Sequence, residues 1–490
     1  MTTSSFLKNC VLFLFLLPGS PWLNHAFAEV KLPAIVSSNM VLQRNTTVKL
    51  WGWADANEKI TIQLSWQTGN NKVVADEKGN WQLAVTTTDS KAPQTISIKS
   101  KESEIRLDNV LFGEVWLCSG QSNMQQPLKG YMGQPTFEGP MTIAKANNPN
   151  LRLFTVNRKA AKSPLNDVAE YIGWQAVNAA SVADFSAVAY FFGQQLQEIL
   201  DVPVGLIHTS WGGSAIQAWI SEEAISALQK VNLDEVDLSQ RTNQIPTALF
   251  NAMINPLTSY AIKGVLWYQG ESNRMEPEKY KDFLPAMVKD WRKRWELGDF
   301  PFYYVQIAPF MYGNDNEVFQ STENSAFIRE AQIQCLDLIP NSGMAVTMDI
   351  GDDHCIHPPK KKEVADRLLF NALHHTYGYN TVDYSGPVYS NQAAENGGLL
   401  LEFKHAELGV FAYDELEGFE IAGDDKVFHP AKASIVKRKQ VFVVSDSVPH
   451  PVAVRYAWRN WVNGTLFDSN LLPASSFRTD DWDDATRADY

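Results

Sequence analysis

Basic charge is in short supply along this chain. Lysine and arginine number 42 against 55 aspartates and glutamates, for a net charge of -13. Nucleic-acid binding requires a basic face that neutralises phosphates, so this balance excludes nucleic acid as a partner class. The one compact basic run, Lys360-Lys361-Lys362, is too short for that role and reads as a solvated helix face. Cysteine is scarcer still, with four in 490 residues. Cys10 falls in an export-type leader, and the remaining Cys118, Cys335 and Cys355 are an odd set that cannot all pair. The fold is therefore not built on disulfides. Cys118 reads as a buried strand residue, and Cys335 with Cys355 is one conceivable bridge. Long apolar runs, internal repeats and low-complexity segments are also lacking. The most apolar stretch, Val11–Leu17, is too short to span a bilayer. With Lys8 before it and Ala26-Phe27-Ala28 after it, this stretch reads as a secretory signal cleaved after Ala28. It predicts a periplasmic or secreted protein with no membrane partner. Asn45 and Asn463 open Asn-X-Thr sequons, which matter where the host glycosylates.

What is present is an ordinary globular composition, 45% hydrophobic and 20% charged. Its length of 490 residues suits two to four domains. Fifteen Trp and sixteen Tyr supply rings of the kind that stack on sugars. From Glu29 to about Asp108 the pattern is short, alternating and turn-punctuated, as in Thr47–Trp53, Lys59–Leu64, Asn80–Val85 and Gln94–Ile98. That predicts a β-sandwich domain over 29–108. At Val110 the texture changes to strands alternating with helical stretches. Helices are expected over 183–200, around 280–295, 327–333 and 363–374, with strands at 203–210, 263–268, 302–307 and 344–350. Such alternation predicts an α/β fold, a parallel sheet with helices on both faces, over 109–380. After about Gly378 the β texture returns, giving a C-terminal β-rich domain over 381–490. Its stretch Asn470–Thr479 is expected to pack back over the active edge.

In open parallel sheets, ligands bind beyond the carboxyl ends of the strands. Four predicted strands end there in polar or glycine turns: Gly120–Asn123, Gly212–Ser214, Gln269–Asn273 and Asp352–His357. A lone Gly-Gln-Ser-Asn turn is ordinary loop punctuation. Four such turns at one edge make Ser122 a candidate nucleophile and His357 its base. The triad is defined by geometry and not by chain order, so a late histidine is workable. The Ser122 N–H at a helix start and the amide of Gly213, or of Gly212, are candidate oxyanion donors, with Asn273 or Gln269 as a side-chain donor. Glu271 completes the residues expected around the oxyanion and substrate. Asp352, Asp353, His354 and His357 also include ligand types that a divalent metal accepts, which leaves a metal-dependent deacetylase as the alternative enzyme. A non-catalytic carbohydrate-binding protein is the alternative outside enzymes.

These blocks resemble those of the SGNH (GDSL-type) hydrolase superfamily, and specifically the sialate O-acetylesterase-like carbohydrate acetylesterases. The resemblance is carried by Met40–Gln43, Gly113–Met124, Trp211-Gly-Gly213, Trp267–Asn273, Arg329–Gln332, Ile356-His-Pro358, Leu472-Pro-Ala474 and Phe477–Asp480, which together span nearly the whole mature chain. It implies an SGNH-type sheet and a serine esterase that removes acetyl groups from a glycan, either sialic acid or an acetylated polysaccharide, through an acyl-enzyme. It further implies Ser122 as nucleophile, His357 as general base, and no metal or other cofactor. The superfamily places an aspartate three residues before this histidine, where the chain has His354. The nearer family often carries one two residues before it, where the chain has Cys355. Asp352 is the expected replacement; Asp353, another residue, or a dyad with no carboxylate are the other readings. Gln217 stands where glutamate is expected.

Overall fold

The computed structural model describes residues 29–231, 237–239, 241–313 and 324–488. The leader 1–28, with Cys10, lies outside the described residues. Among them no helix is long and apolar enough to cross a membrane. Seven strands open the chain: β1 (Val41–Gln43), β2 (Thr47–Trp53), β3 (Lys59–Leu64), β4 (Asn70–Val74), β5 (Asn80–Thr86), β6 (Gln94–Lys99) and β7 (Glu104–Gly120). The last of these sets the layout. Its first half pairs antiparallel with β6, and its second half runs parallel to β1 and then through the centre of a parallel sheet. The boundary expected at 108/109 therefore falls inside one unbroken strand. The change of texture at Val110 is a change of partners, marked by a register shift opposite Gln94 and by a left-handed Asn109 (φ 57°).

The sheet continues with β8 (Asn147–Val156), β9 (Tyr171–Asn178), β10 (Val204–Ser210), β11 (Gly264–Tyr268), β12 (Phe302–Val305) and β13 (Ser342–Ala345), in the order β13-β12-β11-β7-β10-β8-β9. Neighbours along this path are parallel except β9, which pairs antiparallel with β8 at the edge. The helices that matter for the site are α1 (Ser122–Gln125), α2 (Ala187–Leu200), α3 (Pro277–Trp295), α4 (Ala326–Leu338) and α5 (Lys361–Asn371). Strand side chains alternate between two cores, which is why β7 reads as a continuous apolar run. Val115 and Leu117 enter one core with Phe283, Trp291 and Ile328 of α3 and α4. Trp116 and Cys118 enter the other with Phe192, Leu196, Leu368 and Leu369 of α2 and α5.

Some boundaries move for local reasons. The helix expected from Ala183 is split, because Ser186 caps α2 by accepting from Ala189 N–H. The strand expected through Ile350 ends at Ala345. The C-terminal region holds a four-stranded antiparallel sheet, built from residues within 388–444, and a five-stranded sheet that includes Ala453–Tyr456 and Phe477–Arg478. Ser475 Oγ accepts from Gln306 Nε2 at 2.7 Å, so the 470–479 stretch meets the carboxyl end of β12. The bridge weighed between Cys335 and Cys355 is not formed. Both are free, with Cys335 Sγ turned to the Lys281 carbonyl and Cys355 Sγ to the His357 carbonyl.

Candidate active site

The chain leaves β7 toward β8 and leaves β11 toward β12, on opposite sides of this adjacent pair. That reversal opens a crevice at their carboxyl ends, where Gly120 and Tyr268 pair across the ladder. Gly120 sits at φ +139°, and a Cβ there would fall 2.1 Å from the Tyr268 carbonyl oxygen. Only glycine fits. The turn that follows is pinned to the neighbouring strand end: Gln121 N–H donates to Tyr268 O at 2.9 Å, and Gln121 Oε1 accepts from the N–H groups of Gly270 and Ser272. Ser186 Oγ, at the start of α2, donates to Met124 O at 2.6 Å and fixes the turn from behind.

Ser122 is half-buried at the first position of α1, where the backbone N–H has no intrahelical acceptor. Its Oγ makes no hydrogen bond among the described residues. His357 reaches the same place from the loop before α5. The Tyr131 ring packs edge-on against the His357 ring, with centroids 5.4 Å apart, while the Tyr131 hydroxyl donates to Ser122 O at 3.2 Å. No direct Ser122–His357 hydrogen bond is formed in this structure; such bonds commonly tighten only in substrate complexes.

The partner of His357 is not Asp352. The His357 Nδ1 atom lies 2.6 Å from Gln134 Oε1. Asp352 instead accepts from the backbone N–H groups of His354 and Cys355, both at 2.9 Å, which turns its carboxylate onto its own loop. Asp353 lies beside His354, 3.3 Å from its Nδ1. The four residues weighed as metal ligands do not converge, and among the described residues no three His, Cys, Asp or Glu form a group fit to hold a metal ion. An amide acceptor for Nδ1–H fixes the tautomer that leaves Nε2 free as a base. Burial pushes the imidazole down to about 4, and the positive Lys361 adds to the effect. Above that value the ring is neutral. The acid limb of kcat/KM is accordingly expected near pH 4 and not near the ordinary 6.5, with activity rising through the limb and level above it. A pH–rate profile with its limb near the ordinary value would contradict this.

Behind the serine lies a buried chain that the sequence did not reveal. Asn123 Nδ2 donates to Glu271 Oε1 at 2.6 Å and to Ile356 O at 3.0 Å, and Asn123 Oδ1 accepts from Lys361 Nζ at 2.5 Å. Lys361 is fully buried, so the Lys360–Lys362 run is not a solvated face. Burial raises the Glu271 carboxyl and lowers the Lys361 ammonium to about 7. Asn123 thus ties the Gly120–Asn123 turn, the Gln269–Asn273 turn and the histidine loop together. Glu271 is buried behind the serine turn, held by Asn123.

Two expected oxyanion donors are turned inward. Gln269 Nε2 donates to Ser214 O and to Asn273 Oδ1. Asn273 Nδ2 donates to Gln217 Oε1 at 2.8 Å, while its Oδ1 also accepts from Ile216 N–H. These side chains lock two turns to each other, and Gln217 completes the lock. Of the two glycine amides, that of Gly212 is taken by Gln125 Oε1 at 2.8 Å. The Gly213 N–H has no hydrogen-bond acceptor among the described residues, and its φ of +70° suits glycine. Gly212 packs directly on the serine: a Cβ there would sit 3.3 Å from Ser122 Cβ.

Known proteins match this chain over the same region. The family model described as carbohydrate esterase, sialic acid-specific acetylesterase, matches residues 112–364. The sialate O-acetylesterase of Pongo abelii is 30% identical over 471 residues, covering 88% of each chain. That of Mus musculus is 27% identical over 519 residues, covering 91% of this chain and 94% of the relative. A solved carbohydrate acetylesterase from Xanthomonas citri is 35% identical, with a TM-score of 0.84 over 93% of this chain and 100% of that one. The chain belongs to the carbohydrate esterase family of sialic acid-specific acetylesterases.

Proposed function

We propose that this carbohydrate O-acetylesterase removes acetyl groups from glycans through an acetyl-enzyme on Ser122. The observation that carries the mechanism is the meeting of Ser122 and His357 on Tyr131 at the crevice between β7 and β11. His357 Nε2 takes the Ser122 Oγ proton as the oxygen attacks the acetyl carbonyl. The Ser122 and Gly213 amides hold the oxyanion. His357 then gives its proton to the departing sugar hydroxyl. In the second half-reaction it removes a proton from the water that attacks the acetyl-serine, and returns that proton to Ser122 Oγ as acetate departs.

Gln134 acts as the orienter of His357 in place of a carboxylate. Its neutral amide aims the ring but offers no charge to stabilise the imidazolium, in keeping with the lowered basicity of His357. Gln134→Glu would place a charge at that position and should move the acid limb of kcat/KM up by about 1–2 pH units. A limb that stays in place in that variant removes Gln134 from the role. The parallel sheet with its switch-point crevice supports an SGNH-type layout. The β regions 29–108 and 381–490 support a reading as sandwich-like flanks around a hydrolase unit at 109–380.

Acetate release from acetylated sialic acids, xylan and pectin tests the activity. Turnover should survive EDTA and be lost to a serine-directed phosphonate. The opposite pattern would favour a metal-dependent deacetylase, and glycan binding without acetate release would favour a non-catalytic protein.

A further inference from the structure

The turn that carries the Gly213 amide does not fix the direction of that amide by its own hydrogen bond. It runs Trp211-Gly212-Gly213-Ser214 beyond β10 and is closed by Ser214 N–H donating to Trp211 O at 3.2 Å. Gly213, its third residue, sits at φ +70°, which is the type II form of a β-turn. The type I form keeps the same closing bond but turns the central peptide over, bringing that φ to about −90°. With glycine at both central positions, no side chain forbids either form. The central peptide joins Gly212 C=O to Gly213 N–H, and a trans peptide points these two groups in opposite directions. Turning it over would put a carbonyl oxygen where the amide donor belongs, and an oxyanion is repelled there.

Two side chains hold this turn from outside. Gln125, in the same helix α1 as the serine, accepts from Gly212 N–H at 2.8 Å and fixes the peptide before the central one. Asn243 holds the central peptide itself, its Nδ2 donating to Gly212 O at 2.8 Å. This asparagine rides on the short 3-10 turn Thr242–Gln244, and its backbone oxygen accepts from Ala215 N–H at 3.2 Å. A Cβ on Gly213 would fall 3.2 Å from Asn243 Nδ2, so the side chain lies directly against the turn. With Gly212 O bound to Asn243, the Gly213 N–H points away from it and meets no acceptor among the described residues.

We propose that Asn243 is the positioning residue of the oxyanion site. By donating to Gly212 O it holds the Gly212–Gly213 peptide in the one orientation that offers Gly213 N–H to the acetyl oxygen. It acts through that peptide and not by contact with the substrate. The inference rests on Ser122 as nucleophile and on Gly213 N–H as oxyanion donor, and deepens that reading. Aspartate is the decisive replacement, because it keeps the shape of asparagine and loses the donor. An ionised carboxylate at this position repels Gly212 O and accepts from Gly213 N–H once the peptide turns over. Alanine only removes the restraint.

On p-nitrophenyl acetate, Asn243→Ala should lower kcat by about 10-fold and Asn243→Asp by about 100- to 1,000-fold, the loss expected when one oxyanion donor is removed. KM should stay within about threefold, because the interaction is made in the transition state and not in the ground state. The acid limb of kcat/KM in Asn243→Ala should remain that of the wild type, since His357 is untouched. Phosphonylation by p-nitrophenyl methylphosphonate, which builds a tetrahedral anion on Ser122, should slow by the same factors. Asn243 is half-buried on an irregular stretch, and thermal melts confirm that both variants keep the fold. Crystal structures read the peptide directly. The wild-type phosphonyl adduct should place its oxygen on Gly213 N–H with Gly213 at positive φ. Asn243→Asp should show Gly213 at negative φ, with its N–H on the new carboxylate. Wild-type kcat in Asn243→Asp, or a loss in it with Gly213 still at positive φ, would overturn the proposal. An adduct oxygen bound away from Gly213 overturns the oxyanion assignment beneath it. An oxygen on Gly213 N–H together with wild-type turnover in Asn243→Asp overturns only the role of Asn243.

Discussion

Ser122→Ala should lower acetyl-ester hydrolysis by roughly four to six orders of magnitude while the protein keeps its melting temperature. The size of the loss follows from the chemistry: without Oγ there is no acyl-enzyme, and His357 has nothing to activate except water in an unsuited position. The preserved fold follows from the surroundings. Ser122 is half-buried, its Oγ makes no hydrogen bond among the described residues, and its backbone turn is held by Gln121, Asn123 and the Ser186–Met124 contact. Alanine suits the first turn of a helix, so the stability change should stay within about 0.5 kcal/mol. Initial rates on p-nitrophenyl acetate and a thermal melt check both halves. Near-normal turnover in this variant would remove Ser122 from the centre of the mechanism.

Lys361→Met should be the most damaging substitution outside the reacting groups, costing about 1–3 kcal/mol of stability because it removes the donor to Asn123 Oδ1 and the positive charge nearest the buried Glu271. Lys361 and Glu271 do not touch; Asn123 carries the link, accepting from one and donating to the other. Asn123 also donates to Ile356 O, next to His357, so its release should loosen the histidine loop and lower kcat by about 10- to 100-fold. A double variant, Lys361→Met with Glu271→Gln, removes both charges. If the chain is a coupled unit, the double variant should recover much of the stability lost in Lys361→Met, and denaturant unfolding of wild type, both single variants and the double variant measures it. Simple additivity of the two single losses would show that the groups act independently.

The sheet was legible in the sequence because β7, β10 and β11 are apolar on both faces and end in glycine or polar turns. Ser122 and His357 were legible for the same reason, as residues of two such turns. The partners of these two residues were not. Gln134 lies in a loop 223 residues from His357, and no periodicity reports such a contact. Asp352 is close in sequence but turns onto its own loop amides, a local geometry that aspartate readily adopts. Gln269 and Asn273 were expected to face the substrate; the Ser214 carbonyl and the Ile216 amide, buried beside them, claim their polar atoms first. Lys361 did carry a signal. It shares one helical face with Val364, Ala365 and Leu368, all buried, so the spacing placed the middle lysine of the run inside. The run of three like charges obscured it.

The most direct measurement is to quench the enzyme during turnover of an acetylated glycan and map the acetyl group on its peptides by mass spectrometry. The expected result is acetyl on the Ser122 peptide, appearing before steady state and absent from Ser122→Ala. Turnover with no acetylated Ser122, or with the acetyl group on another residue, would contradict the acetyl-enzyme.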